Sequence, residues 1–281
     1  MKRRMIRRVS AVFIMALLFV PWNVLGQEEP APGEGTTAAQ LGQMGEDRPE
    51  LSADVAFLSQ YIWRGYAFSK DSLVIQPSVT AGYKGFALNL WGNLDTDYAD
   101  EPYESNTKWN ETDMTFSYGR SFGMVGVEAG FIYYALDGAY DSKEFYLSGG
   151  VDTLLAPTLT VYREVSKLQG WYIALGLSHS FELPYDLTLD VAGTFSYYKS
   201  DNDHMVEYNH DLTPTGERFN GLHDGLVSVG LNIPFWKYFT VTPSVAYAFP
   251  LSHQADNELQ AGSMDGDADH IMGGVTLSMA F

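Results

Sequence analysis

The sequence predicts an all-β protein: a transmembrane, antiparallel, up-and-down β-barrel of about twelve strands over residues 51–281. Three observations predict it. After residue 26 no stretch approaches the roughly 18 consecutive apolar residues of a spanning helix. From Leu51 to the end, segments of about ten residues alternate apolar and polar, as strands with one face in lipid must. The connections also alternate between tight and long, which a barrel with short periplasmic turns and long outer loops requires and a soluble sandwich does not. With both termini periplasmic, every connection falls on its expected side.

Composition narrows the function. The chain has 281 residues, with 17 Lys+Arg against 35 Asp+Glu and a formal charge of −18. Five of the basic residues, Lys2, Arg3, Arg4, Arg7 and Arg8, open the chain, and nothing acidic precedes Glu28. They head an apolar run, Val9–Val20, followed by Val24-Leu25-Gly26, with Val and Gly at the positions a signal peptidase reads. Residues 1–26 are therefore expected to be a cleaved signal peptide. Their removal leaves 12 basic residues against 35 acidic ones, a formal charge of −23. Nucleic acid and anionic membrane surfaces are then poor partners. With no Cys, the chain has no disulfide and no lipid-anchoring Cys. Residues 27–50, rich in Pro, Gly, Glu and Gln, read as a disordered periplasmic tail.

The first strand places Val55, Phe57, Tyr61 and Trp63 on one face and Asp54, Gln60 and Arg64 on the other. After 65–71, the second carries Leu73, Ile75, Val79, Ala81 and Tyr83. A turn at Tyr83-Lys84-Gly85-Phe86 leads to the third, with Leu88, Leu90 and Leu94. Beyond a long polar loop, Met114, Phe116 and Tyr118 oppose Glu111 and Asp113. Val125, Val127 and Phe131 oppose Glu128 and Tyr134. Phe145 and Leu147 oppose Glu144, Tyr146 and Asp152. Leu159 and Val161 oppose Tyr162 and Glu164, and Ile173 and Leu175 oppose Tyr172. Leu189, Val191 and Phe195 oppose Asp190. A long loop over 199–222 precedes the strand of Val227–Ile233, and another over 250–269 follows that of Phe239–Phe249. Arg163 falls on the lipid side, where a midplane Arg costs roughly 2–4 kcal/mol, so it is expected at the rim. Pro77 and Pro243 lie inside strands and cannot donate to the ladder, so bulges or local breaks are expected there.

The last strand puts Ile271, Gly273, Val275, Leu277, Met279 and Phe281 on one face. It resembles the terminal strand of bacterial outer-membrane barrels, whose final Phe is read by the barrel-assembly machinery. Leu277, Met279 and Phe281 are thus the expected assembly signal. Ser59-Gln-Tyr-Ile-Trp-Arg-Gly65, then Gln76-Pro77 and Gly85-Phe86 leading into Trp91-Gly-Asn93, resemble the opening of the TorF family of porin-like proteins. Tyr61, Trp63, Arg64 and Gly65 carry that motif. The resemblance implies an outer-membrane barrel and a channel. It supplies no substrate and no cofactor.

By strand parity the pore lining is Arg64, Glu111, Asp113, Glu128, Glu144, Asp152, Glu164 and Asp190, together with Asp54, Lys84 and Asp224. Acids outnumber bases there, and a pore lined by one charge enriches the opposite ion. The expected function is passive diffusion of small solutes or ions with a preference for cations, across outer-membrane lipid. The alternative is a non-conducting structural or adhesive barrel acting through its acidic outer loops. No catalytic residue is assigned: Ser178-His179-Ser180 cannot pair locally, because neighbours on a strand face opposite ways. Asp265-Gly-Asp-Ala-Asp269 has carboxylate spacing suited to a hard cation but lacks the rest of an EF-hand loop, so no metal site is assigned.

Overall fold

The computed structural model describes residues 49–98 and 107–281. The expected signal peptide and periplasmic tail lie outside the described residues, save for the tail's last two. The described elements run β1 (Glu50–Leu58), β2 (Ile62–Trp63), β3 (Tyr66–Ala67), β4 (Val74–Tyr83), β5 (Phe86–Asp95) and β6 (Lys108–Phe122). Then come β7 (Val125–Leu136), β8 (Ser142–Val151), β9 (Thr158–Glu164), β10 (Gly170–Glu182) and β11 (Thr188–Ser200). They end with β12 (Val206–Tyr208), β13 (Pro214–Arg218), β14 (Asn220–Trp236), β15 (Phe239–Pro250), α1 (His253–Gly262) and β16 (His270–Ala280).

Twelve of the strands form a closed antiparallel barrel in the order β1-β16-β15-β14-β11-β10-β9-β8-β7-β6-β5-β4. Closure joins β1 to β16 from Ser52↔Ala280 to Leu58↔Gly274, and Leu51 and Phe281 exchange backbone hydrogen bonds of 3.0 Å. A closed barrel has no edge, so its backbone groups pair between strands and the sheet crosses hydrocarbon without orphaned donors. The wall is apolar outside: Leu88, Leu90, Met114, Phe116, Phe145 and Leu147 are exposed. It is polar inside, as the alternating burial along β8, and along β6 from Glu111 on, shows. Outer aromatics cluster toward the rims, among them Phe86 against Tyr118 at 4.6 Å and Tyr238 against Phe281 at 6.2 Å. The barrel is therefore a transmembrane one. The tight turns lie at the end carrying Glu50 and Phe281, and the long connections lie at the opposite, far end.

Three local expectations resolve. Arg163 points outward near the end of β9, half-exposed, where it pairs with Asp201 and covers the Trp171 ring at 4.9 Å. It sits at the rim and its charge stays out of the midplane. Pro77 and Pro243 break the ladder without shifting it. Pairing of β4 with β5 skips from Ile75↔Leu94 to Ser78↔Trp91, and pairing of β14 with β15 skips from Gly230↔Ser244 to Ile233↔Val241, in constant register. The Gln76 and Asn93 side chains bridge the first gap at 2.9 Å. Register shifts occur elsewhere, between Asn93 and Leu94 and between Phe195 and Tyr197.

The lipid face yields a direct test. Leu147 stands on the outer face in the middle of β8, 57% exposed. Leu147→Arg should lower stability by about 2–4 kcal/mol, read from denaturant unfolding in lipid vesicles. Arg163→Leu, at the rim, should change it by less than a quarter of that.

Candidate functional site

The first strand departs from its expected length, and the departure builds the site. β1 ends at Leu58, and the chain then turns into the barrel. Tyr61 and Trp63, expected on the lipid face beside Val55 and Phe57, are inside. Tyr61 is 1% exposed, with Phe68 and Trp91 each 5.7 Å away. The turn is anchored at both ends of its reach. Ser59 N donates to Gly273 O, Gly273 N donates to Ser59 Oγ, and Tyr61 N donates to Ser69 Oγ. Burial among aromatics, and a partner for Arg64, outweigh a continuation of the strand into the rim.

β2 and β3 make a two-residue hairpin, with Ile62↔Ala67 and Trp63↔Tyr66 paired around Arg64-Gly65. Both tip residues have left-handed backbones, φ 48° and 87°. That is the turn geometry whose twist suits a hairpin, and it favours Gly at the second place. Space demands Gly65 too: a Cβ there would lie 2.9 Å from both Asp224 Cβ and Leu259 Cδ2.

The tip presents Arg64 to the barrel wall. Its Nη1 and Nη2 donate to Glu144 Oε1 and Oε2 at 2.9 and 2.7 Å, a two-pronged ion pair with both partners buried. Its guanidinium carbon lies 4.6 Å from the Trp63 ring, 4.8 Å from Tyr162 and 4.1 Å from Tyr172. Tyr134 Oη donates to Glu144 Oε2 at 2.9 Å and orients the carboxylate. The wall tyrosines form a belt: Tyr146, Tyr162, Tyr172 and Tyr198 are register partners across β8, β9, β10 and β11. Gly130 beside Tyr146 gives that ring room, since a Cβ there would lie 2.4 Å from Tyr146 Cζ.

A second inward element meets the hairpin. α1 is capped by Ser252, whose Oγ accepts from Ala255 N, and it buries Ala255, Glu258 and Leu259. Tyr66 Oη donates to Glu258 Oε2 at 2.6 Å. His223 Nε2 lies 3.2 Å from that same oxygen, and His223 Nδ1 lies 2.8 Å from Asp224 Oδ1. Asp224 also accepts from Ser196 Oγ at 2.5 Å. Burial pushes the Tyr66 hydroxyl well above the usual phenol range, and the Glu258 carboxylate adds to the shift. Ala67 N donates to Ser263 Oγ and Met264 N donates to Ala67 O. Hairpin and helix thus form one two-part plug at the far end. The end carrying Glu50 and Phe281 is lined by small polar residues such as Ser117, Ser148, Thr160 and Thr276 together with Asp54, Glu128 and Asp190, all buried.

The residues expected in the lining divide accordingly. Glu111, Asp113, Glu128, Glu144, Glu164 and Asp190 are buried on the inner wall, as are Asp54 and Asp224. Arg64 is also inside, but on the hairpin tip and not on a wall strand. Asp152 and Lys84 are not in the lining. Asp152 is exposed just past the end of β8, and Lys84 is exposed in the β4–β5 turn at φ 53°. Strand parity runs one residue past the strand end at both. Phe281 is exposed at the rim, and Leu277 and Met279 lie on the same outer face. His223, Glu258 and Tyr66 were not anticipated. Ser252 followed by Ala255, Glu258, Leu259, Gln260 and Ala261 was a legible helix signal inside a supposed loop. Ser196 Oγ and His223 Nδ1 both meet Asp224 Oδ1, at 2.5 and 2.8 Å. His179, at the opposite end, sits 2.7 Å from Leu154 O.

No family model matches the chain, and no curated protein sequence matches it. Among solved structures the chain is similar to the NanC porin, with 11% identity, 82% of this chain and 98% of that chain covered, and a TM-score of 0.49. It is similar to the translocator domain of the autotransporter NalP from Neisseria meningitidis, with 13% identity, coverage of 87% and 92%, and a TM-score of 0.42. An anion-selective porin from Comamonas acidovorans matches at 8% identity, coverage of 83% and 98%, and a TM-score of 0.36. At these values no function passes from those proteins to this one.

Proposed function

We propose that the chain is an outer-membrane, porin-like channel for passive diffusion of small solutes or ions, with a preference for cations, partly closed by its own hairpin and helix. One observation supports it above the rest: buried acids line the inner wall, and they outnumber the bases paired with them, such as Arg64 and His223. Fixed carboxylates in a low-dielectric tube raise the local concentration of cations and repel anions. Membership of the TorF family rests on the Tyr61–Gly65 motif, which here forms the hairpin tip. Export through a cleaved signal peptide, termini facing the periplasm of a Gram-negative cell, and assembly through a signal of Leu277, Met279 and Phe281 belong to the same reading. The filled far end favours a second reading, a non-conducting barrel acting through its outer loops.

Planar-bilayer recording separates the two. The chain refolded from Gln27 should give discrete current steps and a cation-selective reversal potential in a salt gradient. Glu128→Gln should shift the reversal potential toward zero, while Asp152→Asn, exposed beyond β8, should leave it in place. A folded barrel that passes no current would remove the channel reading and leave the loop-acting one.

A further inference from the structure

We propose that the inner wall carries a binding site for guanidinium-type organic cations, formed by Glu144, Tyr134, Tyr162 and Tyr172, and that Arg64 of the plug occupies it as the chain's own ligand. The proposal rests on the cation-preferring reading above and names its substrate class.

The geometry is that of a built cation cage. A guanidinium needs a planar, two-pronged acceptor and aromatic faces above or below its plane. Glu144 supplies the acceptor, at 2.9 and 2.7 Å from the two terminal nitrogens. Tyr162 and Tyr172, on the adjacent strands β9 and β10, supply ring faces at 4.8 and 4.1 Å, inside the range of cation–π attraction. Tyr134 holds the carboxylate in place through its hydroxyl. All four belong to wall strands and stay behind if the hairpin leaves. Only the occupant and Trp63 belong to the hairpin.

The wall is also richer in negative charge than its present occupant needs. Glu164 is the direct cross-strand partner of Glu144, it is 5% exposed, and its Oε2 makes no hydrogen bond. Its Oε1 accepts from Ser142 Oγ at 3.1 Å and Ser166 N at 2.8 Å, and the one guanidinium of the hairpin pairs with Glu144, one of these two neighbouring carboxylates. A solute bearing a guanidinium, entering from the end carrying Glu50 and Phe281, would compete with Arg64 for this cage. Displacement of Arg64 would free the hairpin tip, so the permeant cation would loosen the plug that blocks it.

The test is chemical rescue by methylguanidinium, with thermal unfolding of the heat-modifiable barrel as the readout. Arg64→Ala empties the cage. Methylguanidinium should raise the midpoint of Arg64→Ala by a few degrees, with half-saturation at about 1 mM for so small a ligand. It should do so neither in the unsubstituted protein, whose cage is filled, nor in Arg64→Ala/Glu144→Gln. Methylammonium, a point charge without the fork, should give less than half the shift. If Arg64→Ala fails to fold alone, methylguanidinium added during refolding should restore the heat-modifiable species and methylammonium should not. No shift and no restoration, or equal shifts in all three proteins, would overturn the proposal. The readout needs no current. A rescued barrel that never conducts would keep the site and remove the channel, and a conducting barrel without rescue would do the reverse.

Discussion

Glu144→Gln should open the barrel without unfolding it. The substitution leaves Arg64 charged inside the wall with half of its acceptor, and breaking a buried ion pair from one side costs about 3–5 kcal/mol. The wall strands do not depend on this pair, because β8 keeps its ladders to β7 and β9. The cost therefore falls on the hairpin, whose tip relieves it by moving the guanidinium toward water. A free-energy change of that size shifts a two-state population by roughly 10²- to several 10³-fold. Two measurements check it. An arginine-specific protease should cut the Arg64–Gly65 bond in the folded variant and spare it in the unsubstituted barrel, where Arg64 is buried. Single-channel recording should show longer open times together with weaker cation selectivity, since one wall carboxylate is gone. Protection of Arg64–Gly65 in the variant would show that the aromatic packing alone holds the hairpin.

Gly65→Val should open it by a different route and leave the charges in place. Gly65 has φ 87°, where a β-branched residue is strained by roughly 1–2 kcal/mol. A Cβ at 2.9 Å from both Asp224 and Leu259 adds an overpacking cost of about 1–3 kcal/mol. Leu259 lies on α1 and Asp224 on β14, so the clash separates the hairpin from both its helix and its wall. The expected phenotype is longer open times with cation selectivity unchanged or increased. Paired with Glu144→Gln, it separates steric release of the plug from loss of wall charge. If neither variant alters current, the plug does not control passage. If both alter current and only Glu144→Gln alters selectivity, the wall carboxylates set the ion preference.

The barrel was legible residue by residue because its code is local. A strand shows its two faces in a period of two, and the long run of alternating segments fixed the strand number and the inward acids such as Glu128, Glu144 and Asp190. Parity failed where the strands stop. Lys84 and Asp152 sit past strand ends, and Tyr61, Trp63 and Arg64 continue the alternation of β1 on paper while the chain has already turned inward. Nothing periodic marks that turn.

The sequence by itself determined the wall: twelve strands, an acidic interior, an apolar exterior and a belt of inward tyrosines. Only the tertiary structure decided what fills the wall. Arg64 meets Glu144 across 80 residues of chain, and Tyr66 meets Glu258 across 192. Such contacts depend on closure of the barrel bringing far strands around a common lumen. No window of sequence contains both partners, so the docking of the plug, unlike its helix or the strands, has no local signature.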